Sequence, residues 1–347
     1  MPPSISADSQ PQWFAWRSFL LTMFLFLLFV GVVAAALRLD TLTPLPVIQA
    51  TPPTIVPTAV PLANPTLLRP TATVAPLVNT EVAAAPLTPT HLITVTTING
   101  IPFDQIVIMP SQVVAHVQAI YAVGQSLGRN PHAFTKIGDS TIDVAHFLSP
   151  FETGPYELGP YAFLQPTISH FAGSFSRQGM AVRIGLHSWT ALDPLWADKT
   201  ICTPAETVIA CEFRLHNPSL VLIRLGANDM GVPEQFARNM SDIVTYALEQ
   251  GVIPILGTKA DRAEGSDENN AIIRQIAADY EIPLWDFDRV AATLPGRGLD
   301  EDGVHLNIAL AHDYRQPELF TRGHAVHNLT ALVVLDTIRR EIMNDEG

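Results

Sequence analysis

Cysteine is almost absent: 347 residues hold only Cys202 and Cys211. Without further thiols or a suitable histidine set beside them, a zinc-organised fold is excluded and no metal site is expected. The pair brackets residues 203–210, read as a hairpin or compact loop. It stands either as two unlinked thiols or, in an exported domain, as a local disulfide. Charge is also sparse, at 15% of residues, and basic charge is sparsest: 20 Lys and Arg against 33 Asp and Glu, a net of −13. With no concentrated Lys/Arg patch and no aromatic-basic module, no nucleic-acid partner is expected.

One long tract lacks charge almost entirely. Residues 41–90 contain 11 Pro and 11 Thr, and only Arg69 and Glu81 are charged. Such a tract has no pattern for a core and reads as part of a polyproline-biased tether over 38–90; fully extended, 41–90 alone would span ~150 Å at about 3.1 Å per residue. Before it, residues 19–37 are uncharged and strongly apolar. As a helix they would reach roughly 28 Å, close to the apolar thickness of a bilayer. A single membrane pass through this N-terminal helix is expected, with Trp13, Trp16 and Arg17 at its interface. The alternative is a signal peptide cleaved near Ala34-Ala35-Ala36, giving a secreted protein. The expected organisation is a short flank (1–18), the membrane segment or signal-anchor (19–37), the tether (38–90), an extension packed on the core (91–130) and a catalytic domain (131–347) on the extracytoplasmic side of the cell membrane.

Within that domain, apolar runs at 134–137, 180–184, 220–225, 252–257 and 282–287 read as strands. Helical spacing marks 111–125 in the extension and 141–147, 233–250, 270–279 and 325–343 in the domain. Alternation of this kind predicts an α/β fold with a mostly parallel sheet and helices on both faces, with ligands gathering at the C-terminal strand ends. Residues 149–179, rich in Pro, Gly and aromatics, read either as a packed surface excursion or as a substrate lid.

Three polar motifs follow three of these elements. Gly138-Asp139-Ser140-Thr141 closes the first strand and opens the proposed helix 141–147, whose N-H groups would face a bound anion. Gly226-Ala227-Asn228-Asp229 follows Leu220-Val221-Leu222-Ile223, and Asp302-Gly303-Val304-His305 lies near the end. Each has a plain alternative: a capping serine, a turn asparagine, a packed loop histidine. Their order and spacing, with Gly185 as a second-block glycine, resemble the SGNH hydrolase superfamily, or GDSL esterase/lipase group, over roughly 131–343. Thr141 replaces the leucine of the literal GDSL signature.

That resemblance implies a three-layer α/β/α sandwich with a flavodoxin-like sheet. It also implies Ser140 as nucleophile, His305 as general base and Asp302 as the group that orients it. The N-H groups of Ser140 and Gly185 and the Asn228 amide would form the oxyanion hole. Asp139, Gly226 and Asp229 would organise the supporting loops, and Asp300 is a local rival to Asp302. Among the other histidines, His170 and His187 either approach the pocket or cap loops, while His312, His324 and His327 serve packing. The implied protein is a membrane-tethered serine esterase of a small acyl ester or an acylated lipid or glycan, needing no metal or organic cofactor. Acyl transfer to an alcohol, and a non-catalytic glycan-binding module, are the alternatives.

Overall fold

The computed structural model describes residues 95–143, 145–309 and 311–343. The apolar run 19–37 and the tether 38–90 lie outside the described residues. Among the described residues, no helix is long and apolar enough to cross a membrane.

The central sheet has five strands: β1 Val107–Ile108, β2 Asn130–Gly138, β3 Pro218–Arg224, β4 Ile253–Gly257 and β5 Leu284–Trp285, in the order β1-β5-β4-β3-β2. Strands β2 to β5 run parallel, with Gly138 opposite Arg224 and Leu220 opposite Ile253. The edge strand β1 is antiparallel to β5, Val107 facing Trp285. The sheet is therefore mixed, four strands parallel and one edge strand reversed, which corrects the expected flavodoxin-like sheet. A second departure lies at the opposite edge. Residues 180–184 make no strand, only a single parallel bridge between Val182 and Gly138. The reason is long-range: the Glu212 carboxylate accepts from Met180 N at 2.7 Å and the Asp143 carboxylate from Ile184 N at 2.8 Å, pulling both flanks out of register.

All seven residues of β3 are buried, as expected of a strand covered on both faces. Its alternation divides the core. Leu220 and Leu222 join Ile253, Ile255 and the helices α1 Ser111–Ser126 and α5 Gly323–Met343. Val221 and Ile223 face the opposite way, onto α2 Val208–His216, α3 Pro233–Glu249 and α4 Glu268–Asp279. In α3 the buried Phe236, Met240, Ile243, Val244 and Ala247 recur at helical spacing, which gives the helix one apolar stripe to lay on the sheet. Helix α5 is buried on nearly every side, so its polar residues meet partners inside the protein.

Phe151, Tyr161, Phe171 and Phe175 of the 149–179 excursion are buried, and Phe134 of β2 meets Phe171 and Phe175 edge-on. Tyr156–Glu157 pairs with His312–Asp313. The segment is a packed part of the domain and not a lid. Cys202 and Cys211 form a disulfide, with Cα atoms 5.5 Å apart. No hairpin lies between them: Cys211 sits in the first turns of α2, whose N-cap Thr207 accepts from Ala210 N.

Candidate active site

Strand β2 ends at Gly138, where any Cβ would sit 2.7 Å from the Arg224 carbonyl oxygen and overlap the Ile142 side chain. This close approach lets the chain turn sharply at Asp139. The buried Asp139 Oδ1 accepts from Thr141 N at 2.9 Å and Thr141 Oγ1 at 2.7 Å, while its carbonyl oxygen accepts from Ile142 N and Asp143 N. Ser140 is thereby held at the tip of one tight turn, half-buried. Burial raises the Asp139 carboxyl above its ordinary range, against the pull of the Thr141 hydrogen bonds. The helix expected over 141–147 is absent from its described residues, so Ser140 does not head a helix. Tertiary contacts compete it away: Asn328 of α5 accepts from Leu148 N at 2.8 Å and donates to the His146 carbonyl at 2.6 Å, and Leu148 is left-handed at φ 61°.

The second loop passes Gly185, whose φ of +74° suits a residue without a side chain. Asp143 anchors its start through Gln178 Nε2 and Ile184 N. Its continuation is fixed by Asp229, whose carboxylate accepts from Ser188 Oγ at 2.7 Å and Ser188 N at 3.1 Å. Asn239 of α3 donates to the same hydroxyl at 2.9 Å, and Asn228 Nδ2 donates to the Leu186 carbonyl at 3.2 Å. An amide NH₂ has two protons, so Asn228 holds the loop with one and has the other to offer. Burial raises the Asp229 carboxyl, partly offset by its bonds from Ser188. Gly226 gives its carbonyl oxygen to Asn269 Nδ2 at 2.9 Å.

The third loop is closed by a bridge between Leu299 and Leu306 and pinned to α5 by Asn307, which accepts from Gly323 N at 2.8 Å and His324 N at 3.1 Å. Asp302 Oδ1 accepts from Val304 N and His305 N, both at 2.9 Å, and its Oδ2 lies 2.6 Å from His305 Nδ1. His305 Nε2 is 2.9 Å from Ser140 Oγ. With the ring proton on Nδ1 donated to Asp302, Nε2 is left to accept the serine hydroxyl. The His305 hydrogen bond, then those of the two backbone N-H groups, hold the Asp302 carboxyl down at about 2. Asp300 is engaged elsewhere, its backbone N donating to the His305 carbonyl at 2.8 Å and its side chain accepting from Glu301 N.

The structure thus brings together Ser140, His305 and Asp302, with Asn228 and Gly185 on loops tied to each other. His170 Nε2 lies 3.0 Å from the Pro131 carbonyl, His187 is 6.1 Å from the Trp189 ring, and His327 packs among Phe147, Trp285 and Phe287. Sequence reasoning missed Asp143, Ser188 and Asn239. For Asn239 a signal existed: it interrupts the apolar stripe of α3. It also missed Arg224, a buried guanidinium whose Nε is 3.3 Å from His327 Nε2. Among the described residues, the one group with metal-ligand spacing is Cys202, Glu206 and Cys211, and its two sulfurs are consumed by the disulfide.

No family model matches the chain and no curated protein does. Solved structures do. An α/β hydrolase enzyme from the metagenome of Lake Arreo is 16% identical, over 59% of this chain and 95% of that one, at a TM-score of 0.39. An acetylxylan esterase from Geobacillus stearothermophilus is 18% identical, over 58% and 93%, at 0.38. An esterase from Pseudoalteromonas sp., inhibited by monoethylphosphonate, is 17% identical over 62% and 100%, also at 0.38. The expected SGNH/GDSL family is not borne out: no family model matches, and these structures are described as an α/β hydrolase and esterases. The antiparallel edge strand replaces the expected SGNH-like sheet with a mixed sheet flanked by helices. At these TM-scores the chemistry has to come from the side chains themselves.

Proposed function

We propose that this chain hydrolyses carboxylic esters through an acyl-enzyme on Ser140. The observation that carries the reading is the imidazole of His305 standing between hydroxyl and carboxylate, 2.9 Å from Ser140 Oγ and 2.6 Å from Asp302 Oδ2. A serine hydroxyl is a weak nucleophile until a base takes its proton. As Oγ bonds to the ester carbon, its proton passes to His305 Nε2 and the carbonyl π pair becomes an oxyanion. Asp302, ionised throughout, stabilises the imidazolium and keeps its ring in place. The second Asn228 proton and the N-H groups of Ser140 and Gly185 are the donors assigned to the oxyanion. Collapse breaks the carbon-oxygen bond of the leaving alcohol, which takes the proton from His305. A water, deprotonated by the same nitrogen, then releases the acid and restores Ser140.

Water is favoured over a second alcohol as acceptor because the site is open: the His305 and Asp302 side chains are 43% and 52% exposed. The assembled nucleophile, base and carboxylate speak against a purely glycan-binding module. The disulfide supports an oxidising compartment, and with the apolar run 19–37 it supports a membrane-tethered, extracytoplasmic enzyme. The substrate assigned to it is a small acyl ester or an acylated lipid or glycan. The test is an ester panel with product identification in water and in competing alcohols, on the full chain and on Ser140→Ala. Acid release that disappears in the variant supports the reading; turnover surviving the substitution, or ester products dominating in dilute alcohol, overturns it.

A further inference from the structure

Twelve large apolar side chains stand exposed among the described residues, and seven of them fall in three short segments, 184–196, 230–232 and 308. Those segments are the ones that bear Gly185, follow Asn228-Asp229 and follow His305. Ile184 and Leu195 are 76% and 88% exposed, an unusual position for large aliphatic groups. The Ser188-Asp229 bonds clamp the first two segments together, and the His305-Ser140 bond brings in the third. These exposed groups therefore lie on the loops that border the site, forming an apolar rim, and exposed apolar surface gathered in this way marks an interaction face.

The chemistry of the rim selects its occupant. Between 183 and 201, Arg183 and Lys199 are balanced by Asp193 and Asp198, so nothing draws a polyanion. Bare aliphatic groups such as Ile184 and Leu195 offer no partner to sugar hydroxyls. Trp189 and Trp196 meet edge to face, ring centroids 5.4 Å apart, so they present no coplanar platform for successive sugar rings. Arg183 covers Trp196 at 5.6 Å and donates to its carbonyl oxygen at 2.7 Å. Aliphatic tips beside tryptophans, without net charge over 183–201, suit the boundary of headgroups and acyl chains, and the exposed Asp300, Glu301 and Asp302 of the third loop favour an uncharged or zwitterionic surface over an anionic one. Only 57 residues separate the apolar run ending at Leu37 from Val95. Even fully extended at about 3.1 Å each they keep the domain within ~180 Å of the bilayer that run would enter.

We propose that this rim seats on an uncharged or zwitterionic lipid surface, presenting Ser140 to esters at headgroup depth. The inference rests on the reading of the chain as a membrane-tethered esterase. Because both native cysteines are paired, Leu195→Cys creates a single reactive thiol, and Val123→Cys on α1 supplies an exposed reference. In the full chain reconstituted in phosphatidylcholine vesicles, an environment-sensitive dye at 195 is expected to shift to the blue. Lipid-borne doxyl groups should quench it at least about twofold more than a dye at 123. Leu195→Asp should lower the ratio of turnover on a vesicle-borne ester to turnover on a water-soluble one about tenfold. Equal quenching at the two positions overturns the proposal, as does a dye at 195 that answers acetylated xylan fragments and not lipid. Phosphonate labelling of Ser140 in the same samples reports separately on the esterase reading: failure of quenching with labelling intact removes only the lipid contact.

Discussion

Asp302 is more than half exposed and yet firmly ionised, because its two oxygens take a ring nitrogen and two backbone N-H groups. Its carboxyl is held at about 2, so the carboxylate is the form that faces His305 at neutral pH. Asp302→Asn should lower kcat roughly 10³-fold or more by offering His305 Nδ1 the wrong partner; steady-state kinetics on a water-soluble ester check this. Asn228→Ala should cost about 10²–10³ in kcat with little change in KM, the mark of a donor used in the transition state. A fall confined to KM would instead mark Asn228 as a residue that only holds the Leu186 loop. At this scale Ser140 and Asn228 stood out because each follows an apolar run, whereas Asp302 and His305 were marked only by their spacing in Asp302-Gly303-Val304-His305. Asp143 and Ser188 were not, since their bonds to Ile184 and Asp229 join residues about 41 positions apart in sequence.

Elements set the precision with which those residues meet. Helix α5 begins against the turn that leads into the histidine loop, and a Cβ on Gly323 would lie 2.1 Å from the Gly298 carbonyl oxygen. Gly323→Ala must therefore move either α5 or the 298–307 segment. It should cost about 1–3 kcal/mol of stability and lower kcat as well, measurable by denaturant unfolding alongside initial rates. Strand β3, helices α3 and α4 and strand β4 were readable because their patterns are strong and local. Two elements were not. Helix α2 was hidden because Val208-Ile209 and the flanking cysteines look like a strand and its partner, although the Thr207 cap was there to be read. The helix expected over 141–147 fails because Asn328 captures the backbone at 146 and 148, a contact that no local propensity encodes. The same kind of long-range capture, by Glu212 and Asp143, dissolved the strand at 180–184.

Across the whole molecule, the histidines packed under the site tie its stability to pH. Burial lowers His312, lowers His327 well below the ordinary imidazole value, and brings His324 down to about 4, with His146, His312 and His305 adding repulsion at His324 and Arg224 at His327. These groups are neutral when folded but take up protons near 6.5 when unfolded. The unfolded state therefore binds more protons between those limits, and stability is full above about 6.5 and falls as pH drops toward about 4. The thermal midpoint should decline over that window, and His324→Gln should make the decline shallower; a midpoint flat from pH 7 to 4 would contradict this origin. The mixed sheet belongs to the same scale: alternating patterns forecast a layered α/β core, but the reversal of β1 depends on a two-residue edge pairing that carries almost no sequence signal.

Because the three catalytic assignments converge on one proton transfer, the most direct measurement is covalent. The full chain is incubated with a fluorophosphonate probe at neutral pH and the modified residue is located by peptide mass spectrometry. One adduct is expected, on Ser140, forming at least about 10²-fold more slowly in His305→Ala. No adduct on the folded protein, or labelling at an unchanged rate without His305, would contradict it.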